Sequence, residues 1–402
     1  MGSFEDLWRS QADIGRSAAG GYRRFAWTPA DLECRAWFAE QAGSRGLAVG
    51  PDRNGNLWAW WGDPGAGDAI ATGSHLDSVP DGGGYDGPLG VVSAFAAIDE
   101  LRSRGTVPRR PVAVVCFSDE EGSRFGMSCV GSRLATGVLD PGRARGLCDA
   151  DGVSLAEAMA GAGVDPDTLG ADRELLDRIG CFVELHVEQG RGLVDLGAPV
   201  GVAGWIWPHG RWRLEFTGRA DHAGTTRLAD RKDAMLPAAT TVLAARALAV
   251  ELGAHATVGR LLVEPNGTNA IPSRVRAWLD ARAPDEQTVR GLVDELGTRA
   301  GWAGTEHGVA VTVTEESWTP MVNFGPGTGP FAGLADVLGD LPVLPTGAGH
   351  DAGILAGVIP AAMLFVRNPT GVSHSPAEHA EPADCLAGVR ALADTLEYLA
   401  CR

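Results

Sequence analysis

Residues 69–104 read AIATGSHLDSVPDGGGYDGPLGVVSAFAAIDELRSR, and this stretch decides the fold class. Ala69–Ser74 is a short apolar run typical of a strand, and it ends in the polar loop His75–Gly87. Pro88 then begins an amphipathic helix that continues to about Arg104, since a proline at the start of a helix loses no hydrogen bond. Strand, loop and helix in this order are the repeating unit of an α/β protein.

The same order returns elsewhere in the chain. Pro111–Phe117 is apolar throughout, as in a strand covered on both faces, and Cys181–Glu188 and Ala361–Val366 are further apolar runs. A last helix begins near Pro382. Strands that alternate with helices predict a mostly parallel sheet, whose ligands gather at the carboxyl ends of the strands.

A different pattern occupies the middle of the chain. Arg211–Thr217, Val275–Arg282 and Val309–Thr314 alternate polar and apolar residues, as strands with one solvated face do. Two helical stretches, residues 233–252 and 285–300, separate these strands. The pattern predicts a small α+β domain with an antiparallel sheet.

The domain organisation follows from these two patterns. The length of 402 residues favours two domains over one. We predict an α/β catalytic domain with a mostly parallel sheet, made of residues 1–210 and 323–402. A smaller α+β domain, residues 211–322, is inserted between its two parts.

Composition excludes several partners. The net charge of −17 argues against nucleic acid, because phosphate binding needs a basic surface. No apolar run approaches the roughly 20 residues that span a bilayer, so we expect no membrane partner. The seven cysteines are odd in number and contain no CxxC pair. They therefore indicate reduced thiols and a cytoplasmic protein.

The loop after the first strand combines a histidine with carboxylates. His75 and Asp86 can share one metal ion, and Asp77 is placed to accept the other N–H of the His75 ring. A surface loop with a capping aspartate is the alternative. The loop also matches the dinucleotide motif GxGxxG, at residues 82–87. We reject that match because it lies well past the strand end and its aspartates would repel a pyrophosphate.

Three other segments carry similar chemistry. In residues 118–122, SDEEG, consecutive carboxylates would repel one another without a cation, so one can bind metal while its neighbour acts as general base. A solvated acidic turn is the alternative. Period-two geometry places Glu184, His186 and Glu188 on one face of a strand. His374 follows the last strand in a Pro/Gly loop, with Glu378 as a supporting carboxylate. For both His186 and His374, a purely structural role is the alternative.

Together these segments supply three histidines, an aspartate and a glutamate. Five ligands with one bridging carboxylate are what a pair of ions about 3.5–4 Å apart requires. Nitrogen and oxygen ligands without cysteine suit Zn²⁺, Mn²⁺ or Co²⁺. The sequence therefore predicts two divalent metal ions as cofactors.

The segments resemble, in this order, the dinuclear-metal amidohydrolases of the aminoacylase and carboxypeptidase superfamily. The branch most similar to them contains N-carbamoyl-L-amino-acid hydrolases and allantoate amidohydrolases. The motifs that carry the resemblance are GSHLDSVPDGGGYDGPLG, FSDEEGSRFGMSCVGSR, ELHVEQG, GRADHAGTT, PNGTNAIPSRVRAWLDAR, GAGHDA and GVSHSPAE. The resemblance implies that one metal ion is held by His75, Asp86 and His186, and the other by Asp86, Glu121 and His374. It implies Glu120 as the general base and Asp77 as the partner of His75.

The resemblance also assigns roles to residues in the inserted domain and to others outside it. His222 matches a lid histidine that stabilises the oxyanion, often from the partner subunit of a homodimer; without the family a surface turn is the simpler interpretation. Asn269 and Arg282 match residues that hold the substrate's α-carboxylate, although an Asp–Arg pair is also common as a surface ion pair. Gln189 is placed to bind the ureido or amide group. His350 and its neighbour in GAGHDA are expected near the site.

One departure from the family concerns specificity. Arg367-Asn-Pro-Thr stands where the most similar relatives have Pro-Ser. Arg367 can face the pocket and pair with a second substrate carboxylate, as in N-carbamoyl-aspartate. It can equally be a structural arginine that faces outward.

The predicted function is metal-dependent hydrolysis of the non-peptide C–N bond of a small N-carbamoyl or N-acyl L-amino acid. The alternatives are an allantoate amidohydrolase, a dipeptidase or aminopeptidase of the same superfamily, and an inactive binding relative. A serine or cysteine hydrolase is disfavoured because the sequence has no GxSxG motif and no cysteine beside a plausible histidine signature.

Overall fold

The computed structural model describes residues 3–402, which form two compact units. The first unit comprises residues 3–204 and Phe324–Arg402, and the second comprises Trp205–Asn323. The second unit is continuous in sequence and interrupts the first. Its limits lie a few residues from the predicted domain boundaries.

The described residues contain both strands and helices throughout. The strands are β1 (Ala48–Pro51), β2 (Leu57–Trp61), β3 (Ala69–His75), β4 (Val112–Phe117), β5 (Ile179–Val187), β6 (Val200–Ile206), β7 (His209–Thr217), β8 (Asp221–His222), β9 (His255–Glu264), β10 (Ala270–Ile271), β11 (Arg274–Arg282), β12 (Ala310–Thr319), β13 (Val322–Asn323), β14 (Val343–Thr346) and β15 (Ala361–Val366). The α-helices are α1 (Phe4–Gln11), α2 (Pro29–Ser44), α3 (Pro88–Ser103), α4 (Val130–Thr136), α5 (Pro141–Arg145), α6 (Leu155–Gly161), α7 (Arg173–Leu176), α8 (Gly192–Leu196), α9 (Met235–Leu252), α10 (Glu286–Glu306), α11 (Leu334–Leu338), α12 (Asp351–Leu355) and α13 (Pro382–Ala400). Short 3₁₀ helices lie at Pro64–Ala66, Pro166–Thr168, Leu228–Asp230 and Gly329–Phe331.

The sheet of the first unit has a parallel centre. Its strand order is β1-β2-β4-β3-β5-β15-β6, and β14 also pairs with β6. The neighbours β4, β3, β5 and β15 are parallel, whereas β1, β2 and β6 join antiparallel. The sheet is therefore mixed, with the parallel strands that the apolar runs predict in the middle. Because these four strands share a direction, the loops at their carboxyl ends meet at one edge.

The centre of this sheet is buried on both faces. Every residue of β3, β4 and β15 is buried, which explains why these strands are apolar runs without polar alternation. Helix α3 buries Leu89, Phe95 and Ile98 in the same core. Each such side chain contributes roughly 1.5–3 kcal/mol of transfer free energy. The strand ends that carry the site therefore rest on a rigid base.

The second unit is built on a four-stranded antiparallel sheet of order β12-β7-β11-β9. In β7 and β11 buried and half-buried residues alternate, as the period-two pattern predicts. Trp212, Leu214 and Phe216 of β7 pack in one core with residues of α9 and α10. Beside this sheet, β8 pairs with β10, so that His222 lies opposite Ala270.

Helix α9 is long and apolar enough to cross a membrane by length and composition, but it is part of this core. It buries Ala238, Ala245 and Leu248 against the rest of the unit. Several of its other apolar side chains remain exposed.

Candidate metal centre

His75 occupies the last position of β3 and is buried. Its Nδ1 lies 3.1 Å from the carbonyl oxygen of Asp77 and 3.5 Å from Asp77 Oδ1. A carbonyl oxygen can only accept a hydrogen bond, so the His75 ring carries a proton on Nδ1. The His75 Nε2 therefore faces the opposite way, 3.8 Å from Asp86 Oδ1 and 3.8 Å from Glu120 Oε2.

The glycine-rich loop returns Asp86 to His75. The backbone N–H groups of Tyr85 and Asp86 both donate to Glu378 Oε1 at 2.9 Å, which ties the loop to the segment after β15. Gly87 has φ +84°, and a Cβ there would lie 2.4 Å from the His75 ring. The loop therefore needs glycine at residue 87, both for the left-handed backbone and for the close approach.

The Asp86 carboxylate lies between two histidines. Its Oδ1 is 3.2 Å from His186 Nε2, and its Oδ2 is 3.3 Å from His374 Nε2. His186 belongs to β5, and its Nδ1 lies 2.9 Å from the Val187 carbonyl oxygen, which leaves Nε2 for Asp86. One carboxylate thus presents an oxygen to each of two nitrogen ligands.

The acidic segment after β4 is anchored by Asp77. The two carboxylate oxygens of Asp77 accept the backbone N–H groups of Glu120 at 3.1 Å and Glu121 at 3.0 Å. Glu121 Oε2 lies 3.7 Å from His374 Nε2, whereas Glu120 lies on the His75 side. Asp77 thereby orients both the histidine and the acidic segment.

These side chains form two groups with metal-ligand geometry. His75, Asp86 and His186 form one, and Asp86, Glu121 and His374 form the other; within each group all ligand atoms lie within 4.8 Å of one another. The structure thus brings together all five residues that the sequence nominates as ligands, and Asp86 belongs to both groups.

A third group with suitable spacing contains Glu184, His186 and His350. Glu184 is less available as a ligand, because Oε1 accepts the Ser74 hydroxyl at 2.7 Å and Oε2 accepts the Ala352 N–H at 3.0 Å. The His350 ring packs edge-on against His186, with centroids 4.5 Å apart. We therefore interpret Glu184 and His350 as residues that surround His186, and not as ligands of a third metal ion.

Electrostatics also indicate that the cluster needs a cation. Burial would raise the pKa of Asp86, but hydrogen bonds with His186 and His374 hold it well below its usual range. Burial raises the pKa of Glu121 to about 7, and the charge of Asp86 adds to the rise. Burial also raises the pKa of Glu120 well above its ordinary value. Acids packed this closely ionise together only beside positive charge, and the hydrogen bond of His374 with Asp86 raises the pKa of that imidazole to about 9. A divalent ion would take over this role from protonated histidines.

The residues present fit divalent metal ions. The buried Glu121 Oε1 has no hydrogen-bond partner among residues 3–402. A buried carboxylate oxygen without a hydrogen-bond donor is unfavourable unless it binds a cation. Three imidazoles and two carboxylates form a nitrogen and oxygen donor set that suits Zn²⁺, Mn²⁺ or Co²⁺.

Two of the residues predicted to bind substrate, Gln189 and Arg367, belong to the first unit. Gln189 lies in the cluster, and its Nε2 donates to Asp86 Oδ2 at 2.8 Å. The Arg367 guanidinium donates from Nε and Nη2 to Asp384 of α13, at 2.8 and 3.1 Å. Because the Nε and Nη2 edge of the guanidinium is bound to one carboxylate, the structure favours the structural interpretation of Arg367 over the pocket interpretation.

The other nominated residues belong to the second unit. His222 is exposed and pairs with Ala270 across the β8–β10 pair. The residue before Ala270 is Asn269, whose carbonyl oxygen accepts the Ala223 N–H at 2.9 Å. Arg282 ends β11 and donates to Asp280 at 2.6 and 2.9 Å. His222 and Asn269 are therefore neighbours, and Arg282 is oriented within its own strand.

Sequence reasoning missed several polar groups at the cluster. The Ser373 hydroxyl lies 3.1 Å from both Asp86 Oδ2 and Glu378 Oε2. The Ser132 hydroxyl donates to Asp351 at 2.5 Å, and the Cys129 thiol contacts Glu120. For Ser373 its position beside His374 was an available signal. Ser132 and Cys129 lie in the motif FSDEEGSRFGMSCVGSR, but their contacts depend on how α4 is placed, which the motif does not give.

Comparison with known proteins identifies the class of this enzyme. The chain belongs to Peptidase family M20/M25/M40, whose model matches residues 71–398. It is accordingly a metal-dependent hydrolase of carbon–nitrogen bonds, as the motifs predict.

The similarity to individual proteins extends over the whole chain. An N-carbamoyl-L-amino acid amidohydrolase of Geobacillus stearothermophilus is 36% identical over 408 residues, covering 98% of each chain. An allantoate amidohydrolase of Escherichia coli (strain K12) is 32% identical over 396 residues, covering 97% of this chain and 95% of that one. These relatives confirm the predicted resemblance.

Solved structures show the same fold. The crystal structure of AtUAH in complex with (S)-hydroxyglycine has a TM-score of 0.90 and 28% identity, and covers 99% of this chain and 97% of that one. An amidase of the hydantoinase/carbamoylase family from Burkholderia vietnamiensis has a TM-score of 0.90 and 30% identity, and covers 100% and 98%.

Proposed function

We propose that this enzyme hydrolyses the non-peptide C–N bond of an N-carbamoyl L-amino acid, or of a closely related N-acyl L-amino acid. The observation that carries the proposal is the Asp86 carboxylate, whose two oxygens face His186 and His374. A carboxylate shared between two ligand groups is what a dinuclear hydrolase requires. The relatives named for N-carbamoyl amino acids and allantoate supply the substrate class.

The metal ligands are assigned from the two groups. His75, Asp86 and His186 would hold one divalent ion, and Asp86, Glu121 and His374 the other. Two such ions would lower the pKa of a water toward about 7 and polarise the scissile carbonyl group.

Glu120 performs the proton transfers in this scheme. Its Oε2 faces His75 Nε2 at 3.8 Å, on the ligand side of the cluster. It takes a proton from the attacking water and later delivers it to the leaving nitrogen. Burial raises the pKa of Glu120 above its ordinary value, which is the direction expected of a carboxyl group that must also donate a proton.

Residues of the second unit would bind the substrate and the developing charge. His222 Nδ1 accepts the backbone N–H groups of Gly224 at 2.9 Å and Thr225 at 3.1 Å. These bonds leave the ring proton on Nε2, which can donate to the carbonyl oxygen as it becomes negative. Arg282 and Asn269 would hold the α-carboxylate, whereas Gln189 of the first unit would bind the ureido group. Residues 211–322 would thus act as a lid.

The same inserted domain offers a surface for a homodimer. Leu236, Leu243 and Val250 of α9 are exposed and follow one another at seven-residue spacing, so they form a stripe on one side of the helix. Their neighbour β9 is an edge strand with exposed Leu261 and Leu262. An exposed apolar stripe beside an open sheet edge favours burial against a second copy. We place the dimer in the cytoplasm, since all seven cysteines are free thiols.

A substrate panel tests the proposed function. We expect hydrolysis of N-carbamoyl L-amino acids, with ammonia release, or of N-acetyl or N-formyl L-amino acids, with kcat/KM at least about tenfold above that for dipeptides. Preference for allantoate would indicate the alternative function. The assay is run on enzyme treated with EDTA and on enzyme reloaded with Zn²⁺, Mn²⁺ or Co²⁺. Full activity after complete metal removal, or preference for dipeptides, would contradict the proposal.

The dimer is tested by charge placed on the stripe. We expect Leu243→Glu with Val250→Glu to convert a dimer into a monomer, because two glutamates from each copy would be buried at the interface. Size-exclusion chromatography with light scattering measures the mass. Val107→Glu is the control, since Val107 is equally apolar and exposed but lies in the first unit. A double variant that stays dimeric places the interface elsewhere.

A further inference from the structure

We propose that Cys129 is a positioning residue for Glu120: its thiol holds one carboxylate oxygen so that the other faces the candidate metal ligands. The inference rests on the proposed function, because it concerns how the general base of that reaction is aimed. It assigns a role to a buried cysteine that lies outside the two ligand groups.

The contact joins two buried side chains. Cys129 Sγ lies 3.2 Å from Glu120 Oε1, and the two residues are 3% and 6% exposed. Burial raises the pKa of the Cys129 thiol well above its ordinary value, so sulfur keeps its proton and acts as the donor. The second oxygen, Glu120 Oε2, is the one that lies 3.8 Å from His75 Nε2. The two oxygens of Glu120 therefore have different partners.

The backbone fixes the thiol against the carboxylate. The N–H of Cys129 donates to the Glu120 carbonyl oxygen at 2.6 Å, and the next two N–H groups donate to Asp119 at 3.0 Å and Ser118 at 2.9 Å. The segment after β4 and the start of α4 are thus joined residue by residue. Cys129 makes both a backbone and a side-chain contact with Glu120.

The conformation of Cys129 indicates that its side chain is needed. Its φ of +55° is in the left-handed region, which glycine adopts with less strain. Glycine would supply no donor to Glu120. Asp77 holds the backbone N–H of Glu120, but that contact leaves rotation about the Glu120 side-chain bonds free. The thiol restricts this rotation.

Three variants test the role in the metal-loaded enzyme. We expect Cys129→Ala to lower kcat about tenfold with little change in KM, because a base that points away part of the time slows proton transfer without weakening substrate binding. Cys129→Ser keeps a donor and should retain at least about half of the kcat. Cys385→Ala is the matched control, since Cys385 is also buried but lies in α13. It should leave kcat unchanged.

A spectroscopic measurement tests the contact without metal or turnover. In the metal-free protein, the infrared difference between wild type and Cys129→Ala isolates the S–H stretching band of Cys129. We expect a band shifted by hydrogen bonding, and we expect Glu120→Ala to move it to the frequency of an unbonded thiol. An unbonded band in the wild type, or a Cys129→Ala variant with the kcat of Cys385→Ala, overturns the inference. A failure of Cys129→Ser to restore kcat also overturns it, since bulk rather than the donor would then matter.

Failure of this inference can be told apart from failure of the proposed function. If Glu120→Ala is inactive while Cys129→Ala is normal, only the role of Cys129 is lost. If Glu120→Ala keeps full activity on every substrate of the panel, the proposed mechanism fails as well.

Discussion

Glu120→Gln is expected to lower kcat by about 10²- to 10⁴-fold while the protein still binds nearly two metal ions per chain. Glutamine keeps the size of the side chain but can no longer accept a proton. Glu120 lies outside both ligand groups, and its Oε2 is directed to the His75 side. The variant should therefore lose proton transfer and keep metal.

The neighbouring residue gives a matched comparison. Glu121→Gln changes the same kind of side chain one position further on, but Glu121 belongs to the group with Asp86 and His374. We expect this variant to lose about one metal ion per chain, together with activity. Metal analysis after dialysis and kcat at saturating substrate measure both effects. Metal loss in Glu120→Gln and retention in Glu121→Gln would show that the two roles are exchanged.

Much of this arrangement can be predicted because it follows from the parallel strands. His75, the acidic segment after β4 and His186 all lie at or just beyond strand ends. Parallel neighbours bring those ends to one edge of the sheet whatever the loops do. An apolar strand followed by a histidine or a carboxylate therefore locates a ligand before any coordinates are known.

The parts that could not be predicted depend on loops and on side-chain direction. Sequence reasoning left both directions open for Arg367, and the contact that favours the structural one is with Asp384 on a later helix. The edge strand β9 was not predicted, because none of its residues is buried and its sequence HATVGRLLVE lacks a regular polar and apolar alternation. The contact of Cys129 with Glu120 depends on a single left-handed residue. Short-range patterns carry no information about such contacts.

Asp86→Asn is expected to remove both metal ions, and with them activity, by about 10³-fold or more in kcat. Asp86 belongs to both ligand groups, so its loss affects the two sites together. Asparagine also turns one carboxylate oxygen into a donor. Gln189 Nε2 already donates to Asp86 Oδ2 at 2.8 Å, and a donor at that position would face another donor.

Two further variants make this result specific. His374 belongs to one group only, so His374→Ala should lose one ion where Asp86→Asn loses two. Asp81→Asn is the control in the same loop, since the Asp81 carboxylate accepts the Arg23 guanidinium at 2.9 and 2.7 Å, away from the ligand groups. It should keep both ions and full activity. Elemental analysis after dialysis gives the stoichiometry, and equal metal loss in His374→Ala and Asp86→Asn would show that Asp86 does not serve both sites.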